Sequence, residues 1–437
     1  MRTPFELILD SPAAPGVPGT SGGDEQVFAD RPRMSSMQTT DAFNGLDCLD
    51  CGASFDAADG PGRCPDCGGV LDPTYDYESL DLSRESFARD PLTDGHAGIW
   101  RYAPVLPVPQ SAAVTMDEGS TPLVEAPRLA EELEVGRVLV KDEGRNPTGT
   151  FDDRGAALAV SAAAAQGATD VALPSTGNDG QAIASYAARA DMESHTFVPS
   201  RASFVNKAMI NVHGGDMYVV DGRLDDAIEA YEDVIAERDD YHPLRAFVTP
   251  YRHEGAKTAY YELLEQLDWE LPDAVVCPTG DGVGVTGLAK GARECRDLGL
   301  VEETTPLYLA QSEGCAPIVE AFEAGAETAE PWEYPDTVCG ALEVPNPAGG
   351  RAALRAVRET GGGAVAADDQ DIMDTAATVA LHEGLEAGVA GAAAAAGAWA
   401  LSRAGEFGTD DTVVLLNTAA GNKDADLIRS RLMAKGM

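Results

Sequence analysis

The chain has 437 residues, and its 31 lysines and arginines face 73 aspartates and glutamates, a formal net charge of −42. With 44% hydrophobic residues there is apolar material for two or three domains, so the acidity belongs to a foldable chain and not to a disordered one. That charge argues against an anionic membrane surface or a nucleic-acid backbone as partner.

No apolar run approaches the ~18 residues of a membrane span, and the N-terminus lacks a signal-peptide pattern, so a cytoplasmic protein is expected. The basic side is skewed too, with six lysines against 25 arginines. Acid enrichment with lysine scarcity points to a halophile's cytosol, where concentrated salt screens self-repulsion. Adaptation to an acidic environment is the competing reading.

Residues 1 to about 45 are rich in Pro, Gly, Ser and Asp without periodicity and read as a disordered tail. Met34 and Met37 close this stretch, so residues 1–36 are either a genuine arm or the product of an early start codon. Next come Cys48-Leu-Asp-Cys51 and Cys64-Pro-Asp-Cys67, two knuckles whose four thiolates suit one structural zinc. Two disulfides are the alternative, disfavoured in a cytosolic chain. Cys277, Cys295, Cys315 and Cys339 show no paired spacing and read as core or surface thiols.

From about 120 onwards short apolar runs alternate with alanine-rich stretches. The pattern predicts strands at 137–140, 171–173, 196–198, 274–277, 307–310 and 413–416. Helices are predicted at 156–166, 181–190 and 285–298, with a closely packed buried helix at 390–399. This alternation argues for open parallel α/β sheets, whose ligands bind at the carboxyl ends of strands.

Three strand-to-helix loops therefore matter. Gly280-Asp281-Gly282-Val283-Gly284 lets the backbone curl so that N–H groups converge on an anion, although Asp281 would repel a phosphate unless turned outward or used as a cap. Ser175-Thr176-Gly177-Asn178 offers hydroxyls, an amide and a helix N-terminus to a carboxylate or an aromatic hydroxyl. Asn417-Thr418 offers a neutral hydrogen-bonding hydroxyl.

Taken in order, these elements resemble the threonine synthase family of pyridoxal-phosphate (PLP) enzymes. Gly119-Ser120-Thr121-Pro122-Leu123 looks like its G-x-T-P-L entry. Lys141-Asp142-Glu143 with Asn146-Pro147-Thr148-Gly149-Thr150-Phe151 looks like its K-D-E…N-P-T-G-S-F segment. The resemblance covers about residues 46 to 428, and a zinc ribbon opens some archaeal members.

It implies an α/β fold of two open-sheet domains in the fold-type-II (tryptophan synthase β-like) class, with an N-terminal zinc ribbon. The expected division is a tail (1–45), ribbon (46–73), lead-in (74–158), small domain (159–260) and large domain (261–437). Asn178 would lie against the PLP ring hydroxyl and Gly280–Gly284 around its phosphate. Ser175 and Thr176 would meet the substrate carboxylate. Thr418 at the pyridine nitrogen would favour elimination and replacement over transamination. The family reaction converts O-phospho-L-homoserine and water to L-threonine and phosphate.

The family continues this segment with K-D-R-G, and that lysine forms the Schiff base with PLP. Here the chain reads Asp152-Asp153-Arg154-Gly155, and no lysine occurs between Lys141 and Lys207. An aspartate cannot form an imine, and losing a positioned base costs ~10²–10⁴ in rate. Asp179 adds a charge beside the expected carboxylate site, and Gly388-Val389 replaces the usual Glu-Pro.

Three expectations stay open. In the first, another lysine such as Lys141 or Lys423 takes over. In the second, the chain is a non-catalytic ligand-binding or regulatory paralogue. In the third, a reaction independent of a Schiff base acts on an amino-acid-like substrate. PLP would then be held noncovalently or lost, and a homodimer is compatible with every case. Arg154 is expected to pair with surface acids, and the six histidines suggest no site.

Overall fold

The computed structural model describes residues 37–57, 62–87 and 98–436; the segment read as a tail lies outside them up to residue 36. Strand β1 (Phe43–Cys48) pairs antiparallel with β2 (Ser54–Phe55) and β3 (Leu71–Tyr75), which makes the cysteine segment a three-stranded ribbon. Because β1 starts at Phe43 while Met37 and Ala42 are buried, the ordered chain begins earlier than the composition shift near residue 45 suggests. Gln166 donates to the Met37 sulfur, tying this lead to the body.

The chain then enters a larger sheet through β4 (Leu123–Glu125) and β5 (Arg137–Asp142). It leaves to build a four-stranded parallel sheet from β6 (Asp170–Pro174), β7 (Glu193–Pro199), β8 (Asp216–Val220) and β9 (Tyr241–Pro243), in the order β8-β7-β6-β9. It returns with β10 (Ala274–Pro278), β11 (Leu307–Ser312), β12 (Gly363–Ala367) and β13 (Thr412–Asn417). The larger sheet has the order β12-β11-β10-β13-β5-β4 and is parallel except for β4. The expected α/β architecture of two open sheets and a ribbon is present. The larger sheet draws β4 and β5 from the lead-in segment.

The strands β6, β10 and β13 are apolar on both faces, as parallel strands covered by helices must be. The alanine-rich run is the buried helix Val389–Ala404, and Gly397 lets it lie against Ala310, Val365 and Val276 of the sheet. Among the described residues no helix is long and apolar enough to cross a membrane.

Two helices meet without intervening side chains. A Cβ on Gly155, in the helix Asp152–Ala165, would stand 2.7 Å from the Arg252 carbonyl oxygen. One on Gly255, in the helix Tyr251–Ala256, would overlap the carbonyl oxygen of Arg154. Gly287 and Gly291 of the helix Val283–Asp297 approach the carbonyls of His253 and Lys257 in the same way. Overpacking of this kind costs ~1–3 kcal/mol, and backbone cannot swing aside as a side chain can. Gly255→Ala should therefore lower the unfolding free energy by about 2 kcal/mol or more in denaturant titration. Gly340→Ala, with open space around it, should stay within ~0.5 kcal/mol of the parent.

Candidate active site

The loops after β6, β10 and β13 and the N-terminal end of the helix Asp152–Ala165 face one cleft. Its empty space is about 970 Å³, open solvent at the mouth included. It brings together Asp152, Ser175, Thr176, Asn178, Gly280, Asp281, Gly282, Val283, Gly284 and Thr418, all residues singled out in the sequence. Arg245, Arg252 and Cys277 also line it, and the sequence marked none of them as site residues.

Local backbone pairing explains the assembly. Phe151 N–H donates to the Thr418 carbonyl at 2.9 Å, Ala420 N–H donates to that of Gly149 at 2.9 Å, and Thr150 pairs with Ala419. This zipper holds the start of the helix beside the end of β13. Gly149 makes the turn at φ 77°, in the left-handed region that a side chain disfavours. Thr148 then donates from both its N–H and its hydroxyl to Asp153, at 2.9 Å each. Burial pushes the Asp153 carboxyl up to about 7, against the pull of those two bonds.

On the second wall, the Ser175 hydroxyl accepts from the N–H groups of Gly177 (2.8 Å) and Gly180 (2.9 Å) and bonds Asp179. It is fully engaged inside its own loop, whereas Thr176 is half-buried at the cleft. Asn178 opens the helix Asn178–Arg189, and its Oδ1 accepts from Asn206 Nδ2 at 3.0 Å. That bond turns the Asn178 amide nitrogen toward other partners.

The third wall is the glycine loop. Gly282 sits at φ 98° immediately before the helix Val283–Asp297, and a Cβ there would press on Ala353 and Gly349. The first turn of that helix carries N–H groups with no intrahelical acceptor, at the positive end of the helix dipole, and the residues of the loop line the cleft. The Asp281 carboxylate accepts from Ala348 N–H at 2.5 Å. The side chain thus binds the neighbouring segment and does not cap its own helix.

The charges of the cleft form a bridge. The Arg252 guanidinium, 3% exposed, lies 3.1 Å from Asp179 Oδ2 and 3.5 Å from Asp152 Oδ1. Thr150 Oγ1 donates to Asp152 Oδ2 at 3.0 Å. Burial, then the neighbouring Asp179, raise the Asp152 carboxyl above its ordinary value, while Arg252 pulls it down.

Lysine is missing from the cleft lining. Lys141 is buried 2.5 Å from Glu262 Oε1 and 2.8 Å from the Thr121 carbonyl, away from the cleft lining. Lys423 is also buried, donating to Gln181 Oε1 (2.8 Å) and Asn206 Oδ1 (3.2 Å). Burial lowers its pKa, against the attraction of Asp153 and Asp152.

Arg154 departs from expectation. It is wholly buried, and its fork grips Glu143 at 2.8 Å with both Nε and Nη2 and reaches Glu262 at 3.1 Å. Glu262 in turn accepts from the N–H groups of Ser120 (2.8 Å) and Thr121 (2.7 Å). The motif residues around Thr121, Lys141 and Glu143 thus build a buried ion network beneath the site, in place of surface pairing.

In the ribbon, the sulfurs of Cys48, Cys51, Cys64 and Cys67 all lie within 4.8 Å of one another, with Cys48–Cys67 at 3.5 Å and Cys51–Cys64 at 3.6 Å. Tetrahedral zinc with Zn–S bonds of ~2.3 Å holds its sulfurs about 3.8 Å apart, whereas a disulfide needs about 2.05 Å. The four residues fit a structural zinc, and the other four cysteines are buried free thiols.

Fold and cleft together define the α/β architecture of fold-type-II PLP enzymes. A fungal L-serine ammonia-lyase from Rhizomucor miehei superposes with a TM-score of 0.61 at 19% identity, over 72% of this chain and 98% of that one. Maize serine racemase gives 0.61 at 19%, over 72% and 92%. Residues 114–419 match the family described as pyridoxal-phosphate dependent enzyme. The threonine synthase of Methanosarcina acetivorans is 36% identical over 88% of this chain and 93% of its own, and that of Methanocaldococcus jannaschii 33% over 87% and 93%. The chain belongs to the threonine synthase family of PLP enzymes.

Purified protein should carry about one zinc per chain by elemental analysis. Cys51→Ser together with Cys67→Ser should release it and lower the melting temperature; retention of full zinc by that double variant would contradict a four-thiolate site.

Proposed function

We propose that this protein keeps the PLP-binding cleft of its family without the covalent anchor. On this reading it holds the phosphorylated pyridine as a reversible ligand and does not sustain the family conversion of O-phospho-L-homoserine to L-threonine. The carrying observation is the Asp152–Arg252–Asp179 bridge in a cleft that no lysine lines. The role of Asp152 as the residue in the Schiff-base position comes from the motif resemblance.

The remaining residues fit the cofactor. The Gly280–Gly284 backbone would hold its phosphate at the helix N-terminus. Asn178, with its Oδ1 already occupied by Asn206, would donate to the ring oxygen. Thr418 would meet the ring nitrogen with a neutral hydroxyl and Thr176 a substrate carboxylate. Bound PLP supplies an electron sink for carbon acids next to an amino group. What this chain adds is a carboxylate in place of an amine: Asp152 accepts a proton but forms no carbon–nitrogen bond. Noncovalent binding and weak proton transfer follow; efficient turnover does not.

Incubation with PLP, borohydride reduction and peptide mapping should leave every lysine unlabelled, while PLP still raises the melting temperature. Stoichiometric labelling of Lys423 would overturn the reading, because it would give the cleft a replacement anchor. Asp152→Lys should become labelled at residue 152, and threonine formation by that variant should rise at least tenfold over the parent.

A further inference from the structure

We infer that the cleft selects the amine form of the vitamer, pyridoxamine 5′-phosphate, over its aldehyde and alcohol forms, with Asp152 pairing with the ligand's ammonium group. This rests on the cleft reading above and sharpens it by naming the ligand.

The argument is one of charge and position. Where a lysine anchors the aldehyde, the carbon substituent of the ring points at the residue in the position of Asp152. An aldehyde aimed at a carboxylate meets an acceptor with no proton to offer. An aminomethyl group in the same place brings an ammonium within reach of that carboxylate.

The groups around Asp152 leave room for such a cation. Two carboxylates, Asp152 and Asp179, share the single guanidinium of Arg252, which sits nearer to Asp179 (3.1 Å) than to Asp152 (3.5 Å). Asp152 therefore holds the weaker share of that guanidinium, with Lys423 adding an attraction from further off. Thr150 adds a neutral hydrogen bond to one oxygen of Asp152. Lys423 turns its ammonium to Gln181 and Asn206, and Asp153 lies beside it.

The Asp152 side chain is 29% exposed at the cleft while Arg252 is 3% exposed, so the open face of the pair is the carboxylate. Burial and the Asp179 charge raise the Asp152 carboxyl, and a cation delivered by a ligand removes that penalty. The glycine loop across the cleft takes the phosphate, so a rigid ligand with a phosphate at one end and an ammonium at the other matches both walls.

Pyridoxine 5′-phosphate is the decisive control, because its hydroxymethyl group has the size of the aminomethyl group without the charge. Affinities of purified full-length protein for the three vitamers would be measured by equilibrium dialysis at one fixed, high salt concentration. A charge-assisted bond in a partly buried site should make pyridoxamine 5′-phosphate bind at least about tenfold tighter than pyridoxine 5′-phosphate.

Asp152→Asn should bring that ratio to within about twofold. Equal binding of the amine and the alcohol, or tighter binding of PLP than of either, would overturn the inference and leave the noncovalent cleft standing. Failure of all three to bind would overturn both.

Discussion

Where the helices Asp152–Ala165 and Tyr251–Ala256 cross, neither has room for a side chain: Gly155 faces the Arg252 carbonyl, and Gly255 the carbonyl of Arg154. The crossing fixes what its neighbours can do. Arg154, one residue before Gly155, is driven inward onto Glu143 and Glu262. Arg252, three before Gly255, emerges on the other side against Asp152 and Asp179. Gly287 and Gly291 dock the helix that begins at the glycine loop onto the same short helix and its successor. The acidic pair, its arginine and the glycine loop thus hang from these backbone contacts.

Buried charge is used repeatedly beneath this contact, much of it in paired sets. Besides the Arg154 network, Lys290 reaches Asp72 of the ribbon at 2.8 Å and Glu254 at 2.6 Å, while Lys257 bonds Glu254 and, at 2.8 Å, Glu294. The desolvation of such groups roughly cancels their attraction, but removing one partner costs ~3–5 kcal/mol, so the sets resist piecemeal change. Of the six lysines, Lys141, Lys257, Lys290 and Lys423 are buried. Lysine scarcity is therefore a property of the surface, where acidic residues face solvent. A habit of avoiding surface lysine does not explain an aspartate at residue 152, inside a cofactor-sized cleft.

Six parallel strands were legible because each holds a short, largely apolar run, and their predicted cores lie within the observed strands, whereas β8, β9 and β12 were missed. The helices 152–165, 178–189 and 283–297 begin two to four residues before their apolar periodicity does. In each case the first turn is made of loop-motif residues, Asp152, Asn178 and Val283, whose side chains or backbone face the cleft and so break the pattern of burial. The cysteine spacing foretold the thiolate cluster for the opposite reason, since both its pairs are local. Arg252 left no trace, because its partners lie 73 and 100 residues away and nothing in its own segment distinguishes it from a surface arginine. Arg154 misled in the same way: its acids, Glu143 and Glu262, are buried, and composition alone attributes acids to the surface.

Asp152 also has a claim on its position that owes nothing to a ligand. It is the first residue of its helix, and Asp153 follows in the same turn. Carboxylates at a helix N-terminus are favoured by ~0.3–1 kcal/mol through the helix dipole, and a lysine there is disfavoured by a similar amount. A lysine at the head of this helix would be a locally frustrated residue, of the kind that proteins retain where chemistry requires it. For the residue this chain carries, the dipole and Arg252 both favour an acid, and Thr150 supplies it with a donor. Burial and the neighbouring Asp179 work against the charged carboxylate, so the helix dipole and Arg252 offset a desolvation cost at this position. What remains is a competition between Asp152 and Asp179 for the same arginine, in which Asp179 lies the closer.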